Sequence, residues 1–278
     1  MAKRNNRWSE EKRNRFIKEG RGQGELSNYI PWLKIQDVSS KGNVTRLMGW
    51  KANRQHEFLS NLERDYFLLL EWEDSVVDIR EQFHLNPEIT WSIAEEKGIK
   101  HSFDNVTNTP IDMTTDLFIT VRKNNKTQYF ARTVKPSKDL EDERVIEKFE
   151  IEREYWERKS IDWGIITEKE LPRGLTGNIL WVHNYYYLDE QEDIDYSSLL
   201  RRLLIINEGR TENLLAICNS FDEDNNLETG SALCYIRHFI ARKYISIDMN
   251  KKINPSKLTM NKIKLNFPKE DNVDYIIS

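Results

Sequence analysis

The sequence predicts an α/β protein in two parts: a mixed sheet flanked by helices, followed by a mostly helical domain. Three observations carry this. Between residues 60 and 167 the apolar pattern runs helix, strand, hairpin, helix, strand, the order of a layered α/β domain. Pro172, Gly174 and Gly177 then punctuate the chain. Beyond them helical periods dominate, and no internal repeat is visible.

The first predicted helix covers 60–72, because Ser60 can cap it and Leu62, Tyr66, Leu69 and Leu70 recur at helical spacing. Asp74 to Phe83 reads as extended, with Val76, Val77, Ile79 and Phe83 as core candidates. A short helix around Thr90 to Lys97 closes at Gly98. From Asp116, Leu117, Ile119 and Val121 alternate; the turn Lys123-Asn124-Asn125-Lys126 follows, and Gln128 to Lys135 returns before Pro136, which makes a hairpin. Asp139 to Lys159 forms a charged helix with Val145, Phe149, Tyr155 and Trp156 on its buried face, and Trp163 to Thr167 is a strand.

In the second part, Asn178 to Tyr187 reads as strand-like. Helices are expected near Ser197–Asn207, Thr211–Ser220 and Gly230–Arg242, the last running into a strand at Tyr244–Ile247. Three helices leading into a strand fit a winged-helix-like module. The divisions are therefore a basic arm at 1–24, a sheet domain at 25–170, a winged-helix-like domain at 171–250 and a Lys- and Asn-rich, partner-binding tail at 251–278.

Composition removes several function classes. The 278 residues carry 42 Lys and Arg against 46 Asp and Glu, a net charge of −4, unlike a histone-like nucleic-acid binder. No apolar run approaches the roughly 20 residues of a membrane helix. The charged start lacks the apolar stretch of a secretory signal, so a cytoplasmic location is expected. Cys218 and Cys234 sit among apolar neighbours and read as reduced core residues, and the five histidines form no metal-ligand pattern. Neither a phosphate-binding loop nor a dinucleotide fingerprint is present. Gly20 to Gly24 reads as a flexible connector, or else as a nucleic-acid contact.

Charge is nevertheless segregated. The first 24 residues are basic, with Trp8 and Phe16 interleaved, so Arg4, Arg7, Arg13 and Arg21 are candidate DNA contacts. A solvated helix edge explains the same pattern.

The informative constellation is Glu63, Asp116 and Thr133-Val134-Lys135, with Glu152 as a possible additional acid. Thr133 and Lys135 point to one face of their strand, and Asp116 begins the neighbouring strand, so a carboxylate and a lysine converge at one end of the sheet. Glu63 has Tyr66, Phe67 and Leu70 at i+3, i+4 and i+7, an odd place for a bare charge unless a cation satisfies it. Ser60 to Glu63 also reads as a capping box, which needs no cation. A carboxylate, a hairpin, X-Val-Lys and a helix, with 17 residues from Asp116 to Thr133, is the core pattern of the PD-(D/E)xK metal-dependent nucleases. Such sites hydrolyse phosphodiesters by holding Mg²⁺, or Mn²⁺ in its place, on hard oxygen ligands. Lys135 would position or activate the water, or stabilise charge at phosphorus.

Glu19 to Gly24, Tyr29 to Leu33, Leu59 to Glu63, Leu70 to Glu73, Asp78 to Phe83, Gly98 to His101, Thr115-Asp116 and Val134 to Pro136 resemble, in order, the TnsA family. These are the endonuclease subunits of Tn-seven-type heteromeric transposases. The similarity runs to about residue 168. It implies a restriction-endonuclease-like N-terminal domain and cleavage of the 5′ strands at double-stranded transposon ends. It also implies a DDE transposase partner that cuts and joins the 3′ strands and an AAA+ ATPase regulator. Glu63, Asp116 and Lys135 would be catalytic; Glu63, Asp116 and Thr133 would hold the metal, Thr133 through its hydroxyl or its backbone carbonyl. Arg80, Glu81 and Gln82 match a family segment without an evident role. Thr133 departs from the family's Gln and Thr115 from the Pro of the wider nuclease pattern. The alternative is a non-catalytic DNA-binding assembly factor that recruits transposase and ATPase.

Overall fold

A computed structural model describes residues 7–38, 43–188, 198–199, 202–203 and 211–266. The chain divides into two compact units, Met1–Leu171 and Pro172–Ser278.

The first unit is built on a four-stranded mixed sheet in the order β3-β4-β5-β6, comprising β3 (Val76–His84), β4 (Thr114–Lys123), β5 (Lys126–Val134) and β6 (Asp162–Ile166). The first three are antiparallel, and β6 joins β5 in parallel after a crossover through a helix. The β4–β5 hairpin closes on Asn124 and Asn125, both with left-handed φ (50° and 58°), the two-residue turn that suits strand twist. Helices α2 (Asn61–Trp72), α3 (Pro87–Glu96) and α4 (Glu143–Arg158) accompany the sheet. Its core is Leu85, Ile93, Phe118, Ala131, Ile151 and Trp156 with close neighbours.

Two expected helices begin elsewhere than the apolar pattern places them. Asn86 caps α3 and Pro87 occupies its first turn, while Asp142 caps α4 after a 3₁₀ turn at Ser137–Glu141. A small hairpin of β1 (Thr45–Met48) and β2 (Gln55–Phe58) is absent from the apolar pattern, being short and polar.

Gln82 lies within β3 with φ +47°, a left-handed conformation rare outside glycine. The strand changes face there. Arg80 and Phe83, three residues apart, both lie against Phe118: the guanidinium is 4.7 Å from its ring centroid, and the Phe83 ring is 4.4 Å away.

The N-terminal segment corrects the expectation of an arm. Helix α1 (Glu10–Lys18) is capped by Ser9, and Trp8, Phe16 and Trp32 form a buried cluster. Gly20 to Gly24 is no flexible connector: Gly22 donates to the Ile30 carbonyl at 2.7 Å and accepts no Cβ, which would stand 2.8 Å from the His84 Cβ. Arg21 is buried, pairing with Asp37, bonding the Trp32 carbonyl and stacking 3.6 Å above Phe16. Arg13 bonds Asp112, the Pro110 carbonyl and Glu10. Neither guanidinium is presented to a ligand, because both satisfy internal acceptors. Arg7 is exposed, and Arg4 lies outside the described residues.

The second unit contains α5 (Arg173–His183), α6 (Leu214–Asp224), α7 (Ser231–Ala241) and a two-stranded ribbon of β7 (Ile245–Ser246) and β8 (Lys264–Leu265). The strand expected over Asn178–Tyr187 is mostly helix. Thr176, Ile179 and Val182 are buried at a spacing of three, which overrides the local strand preference of an aromatic-rich run. The helix expected near Ser197–Asn207 falls largely outside the described residues. Residues 251–266 are no separate tail: Asn178 donates to the Met249 and Lys251 carbonyls, Met260 is buried and β8 closes the ribbon. Residues 267–278 lie outside the described residues. Cys218 is buried and Cys234 half-buried, both as free thiols. No helix among the described residues is long and apolar enough to cross a membrane.

Candidate active site

Glu63 stands in the first turn of α2 because Ser60 caps that helix: the Ser60 Oγ accepts the Glu63 N–H at 3.2 Å. Its carboxylate in turn accepts the Ser60 hydroxyl at 2.8 Å and the Leu59 N–H at 3.1 Å. The Ser60 half of the expected capping box is present, but Glu63 returns its bond to the Ser60 hydroxyl and the Leu59 N–H instead of the Ser60 backbone. Yet Glu63 is buried, with 7% of its surface exposed. Burial, and then the negative charge of Asp116, push its carboxyl up to about 8.

Asp116 is on β4, where the hairpin partners part. Thr115 and Phe118, three residues apart, both meet Trp156, and this irregularity turns Asp116 toward the end of β5. There it accepts the Val134 N–H at 2.8 Å and the Gln82 amide at 3.1 Å. Burial still raises its carboxyl above the ordinary range. Lys135, at the end of the same strand, is half-buried and 4.0 Å from Asp139; its charge favours ionisation of both Glu63 and Asp116. The three residues singled out by spacing thus form one electrostatically linked group.

Glu152 joins them from α4, buried behind the sheet. It accepts the Thr115 hydroxyl at 2.6 Å and the Thr133 hydroxyl at 2.5 Å, and burial pushes it up to about 7. The Thr133 hydroxyl also accepts the Trp163 indole N–H at 3.3 Å. Both its donor and its acceptor capacity are thus engaged inside the protein, by Glu152 and Trp163. The backbone adds a second correction. Lys135 donates to the Ile166 carbonyl of β6 and Val134 to Asp116, so alternate residues of β5 turn their polar groups to opposite sides. Thr133 shares its side with Lys135, facing β6. The backbone carbonyl on the Asp116 side belongs to Val134.

Two contributors escaped sequence reasoning. Gln82 orients Asp116, and its own Oε1 accepts the Thr114 hydroxyl at 3.0 Å. Thr115 replaces a turn-forming proline yet links Glu152 to the Trp156 indole. The unexplained Arg80-Glu81-Gln82 segment acquires roles here. Glu81 is fully buried, accepting both Arg54 terminal nitrogens and bonding His56 Nδ1 at 2.8 Å, which ties β2 to β3.

The carboxylates alone do not make a complete cation cage. Among the described residues no three His, Cys, Asp or Glu side chains converge closely enough to hold an ion unaided. The donor set nevertheless suits Mg²⁺, which is commonly bound through one or two carboxylates with water and phosphate oxygens completing its shell. Glu63 and Asp116 are such a pair, both raised by burial, and Glu63 further by the charge of Asp116.

Comparison with known proteins bears on the same residues. The family model described as "TnsA-like endonuclease N terminal" matches residues 73–168, and that described as "TnsA endonuclease C terminal" matches 170–249. The chain is 41% identical over 258 residues to the Transposon Tn7 transposition protein TnsA of Escherichia coli, covering 92% of this chain and 93% of that protein. The chain belongs to the TnsA family. Its mixed sheet and Asp116 fall within the part matched by the TnsA N-terminal model, while Glu63 precedes it. The two TnsA matches meet near the boundary between the units.

Proposed function

We propose that this TnsA family member is the Mg²⁺-dependent DNA endonuclease subunit of a cut-and-paste transposase, cleaving the 5′ strands at transposon ends. The observation that carries this is the linked group of Glu63, Asp116 and Lys135: two carboxylates in a poorly solvated place, with a lysine beside them. Mutual repulsion in a buried acid pair is relieved by a divalent cation. Glu63, Asp116 and the Val134 carbonyl would hold it. When bound, the cation supplies Lewis acidity toward the scissile phosphate.

The chain's own residues do the remaining work. Gln82 and the Val134 N–H fix the two oxygens of Asp116, so its carboxylate is oriented before substrate arrives. Lys135 donates protons in hydrogen bonds to the attacking water or to the phosphate, and its charge offsets the negative charge that develops at phosphorus. Glu152 and Thr133 sit behind this group as support. The second unit, helices ending in a two-stranded ribbon, is read as a winged-helix-like module. A DDE transposase and an AAA+ ATPase are its expected partners, and this dependence accords with a chain of net charge −4.

The test is Asp116→Ala, assayed for 5′-strand cleavage and for entry into the transposase assembly. Loss of cleavage with assembly intact is expected. Cleavage that persists unchanged would overturn the site, and absence of 5′-strand cleavage by the unmodified chain in its assembly would leave the assembly-factor reading. Calorimetric titration with Mn²⁺ supplies a readout independent of activity: binding should vanish in Asp116→Ala.

A further inference from the structure

The loop between α3 and β4 and the first two turns of α4 enclose a cleft of about 590 Å³ lined by Lys100, His101, Asn105, Asn108, Arg144 and Lys148, among others. Gly98 to His101 is among the sequence motifs to which the candidate site gives no role. The charge of this cleft is unlike that of the surrounding surface. Along α4 the arginines are neutralised, Arg144 in the cleft by Glu147, Arg153 by Glu150 and Glu157, and Arg158 by Glu96 and Glu154. Lys100 and Lys148 are exposed and enter no ion pair among the described residues. Asp104, the acid in the wall, is occupied by the N–H groups of Trp8, Val106 and Thr107, which hold its carboxyl down at about 2.

The cleft and the candidate active site also share helix α4. Arg144, Lys148 and Glu152 recur every fourth residue, so they form one stripe along α4. The stripe begins in the cleft and ends on the carboxylate bonded to Thr133. Partial desolvation against the cleft wall, then the charges of Arg144 and Lys135, lower the Lys148 ammonium from its ordinary value.

We infer that this cleft is a binding site for the phosphodiester backbone of DNA beside the scissile phosphate, with Lys100 and Lys148 as the phosphate contacts. Its uncharged walls, Ser102, Asn105 and Asn108, carry hydrogen-bonding groups but no base-reading geometry, which suits sequence-independent backbone contact. The inference rests on the endonuclease reading and replaces Arg13 and Arg21 as the DNA-facing cations of the first unit.

The test is a titration of the full chain with a fluorescent duplex of about 30 base pairs between roughly 50 and 200 mM salt. It is run beside Mn²⁺-dependent nicking of supercoiled plasmid. Lys100→Ala/Lys148→Ala is compared with Lys123→Ala/Lys126→Ala, a control pair at the far end of β5 from Lys135. The cleft pair should lower the slope of log affinity against log salt by roughly 1.8, about 0.9 for each phosphate that is no longer neutralised, and the control pair should leave it unchanged. Equal slopes for wild type and the cleft pair, with wild-type nicking present, would overturn the cleft while the endonuclease reading survives. An equal drop in both pairs would reduce the effect to general charge and overturn it too. A wild-type chain that does not nick transposon-end plasmid even with its transposase and ATPase partners supplied would remove the endonuclease reading, and the cleft with it.

Discussion

The Gln82 side chain reaches Asp116 Oδ1 at 3.1 Å from a backbone with φ +47°. That backbone is clamped from outside the sheet: the Gln82 carbonyl accepts the Trp32 N–H at 3.2 Å and the Tyr29 hydroxyl at 3.4 Å. A strained strand residue thus connects the N-terminal segment to the proposed active-site acid. Gln82→Met keeps the side chain's bulk and removes its donor. A hydrogen bond to a charged acceptor contributes about 1.5–3 kcal/mol, so strand cleavage is expected to fall roughly ten- to hundredfold. Single-turnover cleavage measures this, and an unchanged rate would reduce Gln82 to packing.

Arg21 leads to the opposite expectation from the one its basic neighbourhood invites. Its guanidinium is buried against Asp37, Phe16 and the Trp32 carbonyl. Arg21→Ala leaves Asp37 buried without its partner, at an expected cost of about 3–5 kcal/mol. Urea unfolding should register that loss, whereas the salt dependence of DNA binding should not change. A lowered salt slope with undiminished stability would return Arg21 to the DNA interface.

Glu152 sets a pH dependence whose sign is fixed by its environment. Its carboxyl, raised from 4.5 to about 7, keeps its proton in the folded chain over a range where the unfolded chain has lost it. The folded state binds more protons there, so this group's contribution to stability falls as pH rises from about 4.5 to about 7. Thermal unfolding in metal-free buffer should show a flatter profile across that window for Glu152→Gln than for the wild type. Parallel profiles would mean that Glu152 ionises normally.

Thr133 offers a sharp comparison. Its hydroxyl donates to Glu152 at 2.5 Å and accepts from Trp163 at 3.3 Å. Thr133→Val preserves shape and leaves a buried carboxylate short of a donor, for an expected loss of about 1–3 kcal/mol. Mn²⁺ affinity should move little, because the hydroxyl is already engaged by Glu152 and Trp163. A variant of normal stability that binds Mn²⁺ much more weakly would make the hydroxyl a ligand after all.

How much of the fold and the site is legible in the sequence varies with the range of the interactions involved. Glu63 can be placed from the cap at Ser60, a local pattern, whereas the turn of Asp116 toward the end of β5 depends on the irregularity between Thr115 and Phe118, which alternation does not give. The role of Gln82 is not legible, since a left-handed residue inside a strand breaks the alternation on which such reading depends. Arg21 and Arg13 mislead for a related reason. Charge counting along the first 24 residues does not see Asp37 and Asp112, which lie 16 and 99 residues further along the chain. Asn178–Tyr187 reads as strand because its aromatic and β-branched residues favour extension in isolation, while burial on one face of the helix Arg173–His183 decides the outcome for most of it.

The packing of the N-terminal segment also has a consequence in time. Trp8 donates to Asp104 and its carbonyl receives Thr107, partners 96 and 99 residues away. At a synthesis rate of about 5–20 residues per second, the first helix waits roughly 5–20 seconds for its partners to be made. Throughout that interval Trp8, Phe16 and Trp32 have no finished surface to cover them. The charged residues interspersed among them, which invite a reading as a DNA-seeking arm, are well placed to keep the nascent chain from associating with itself.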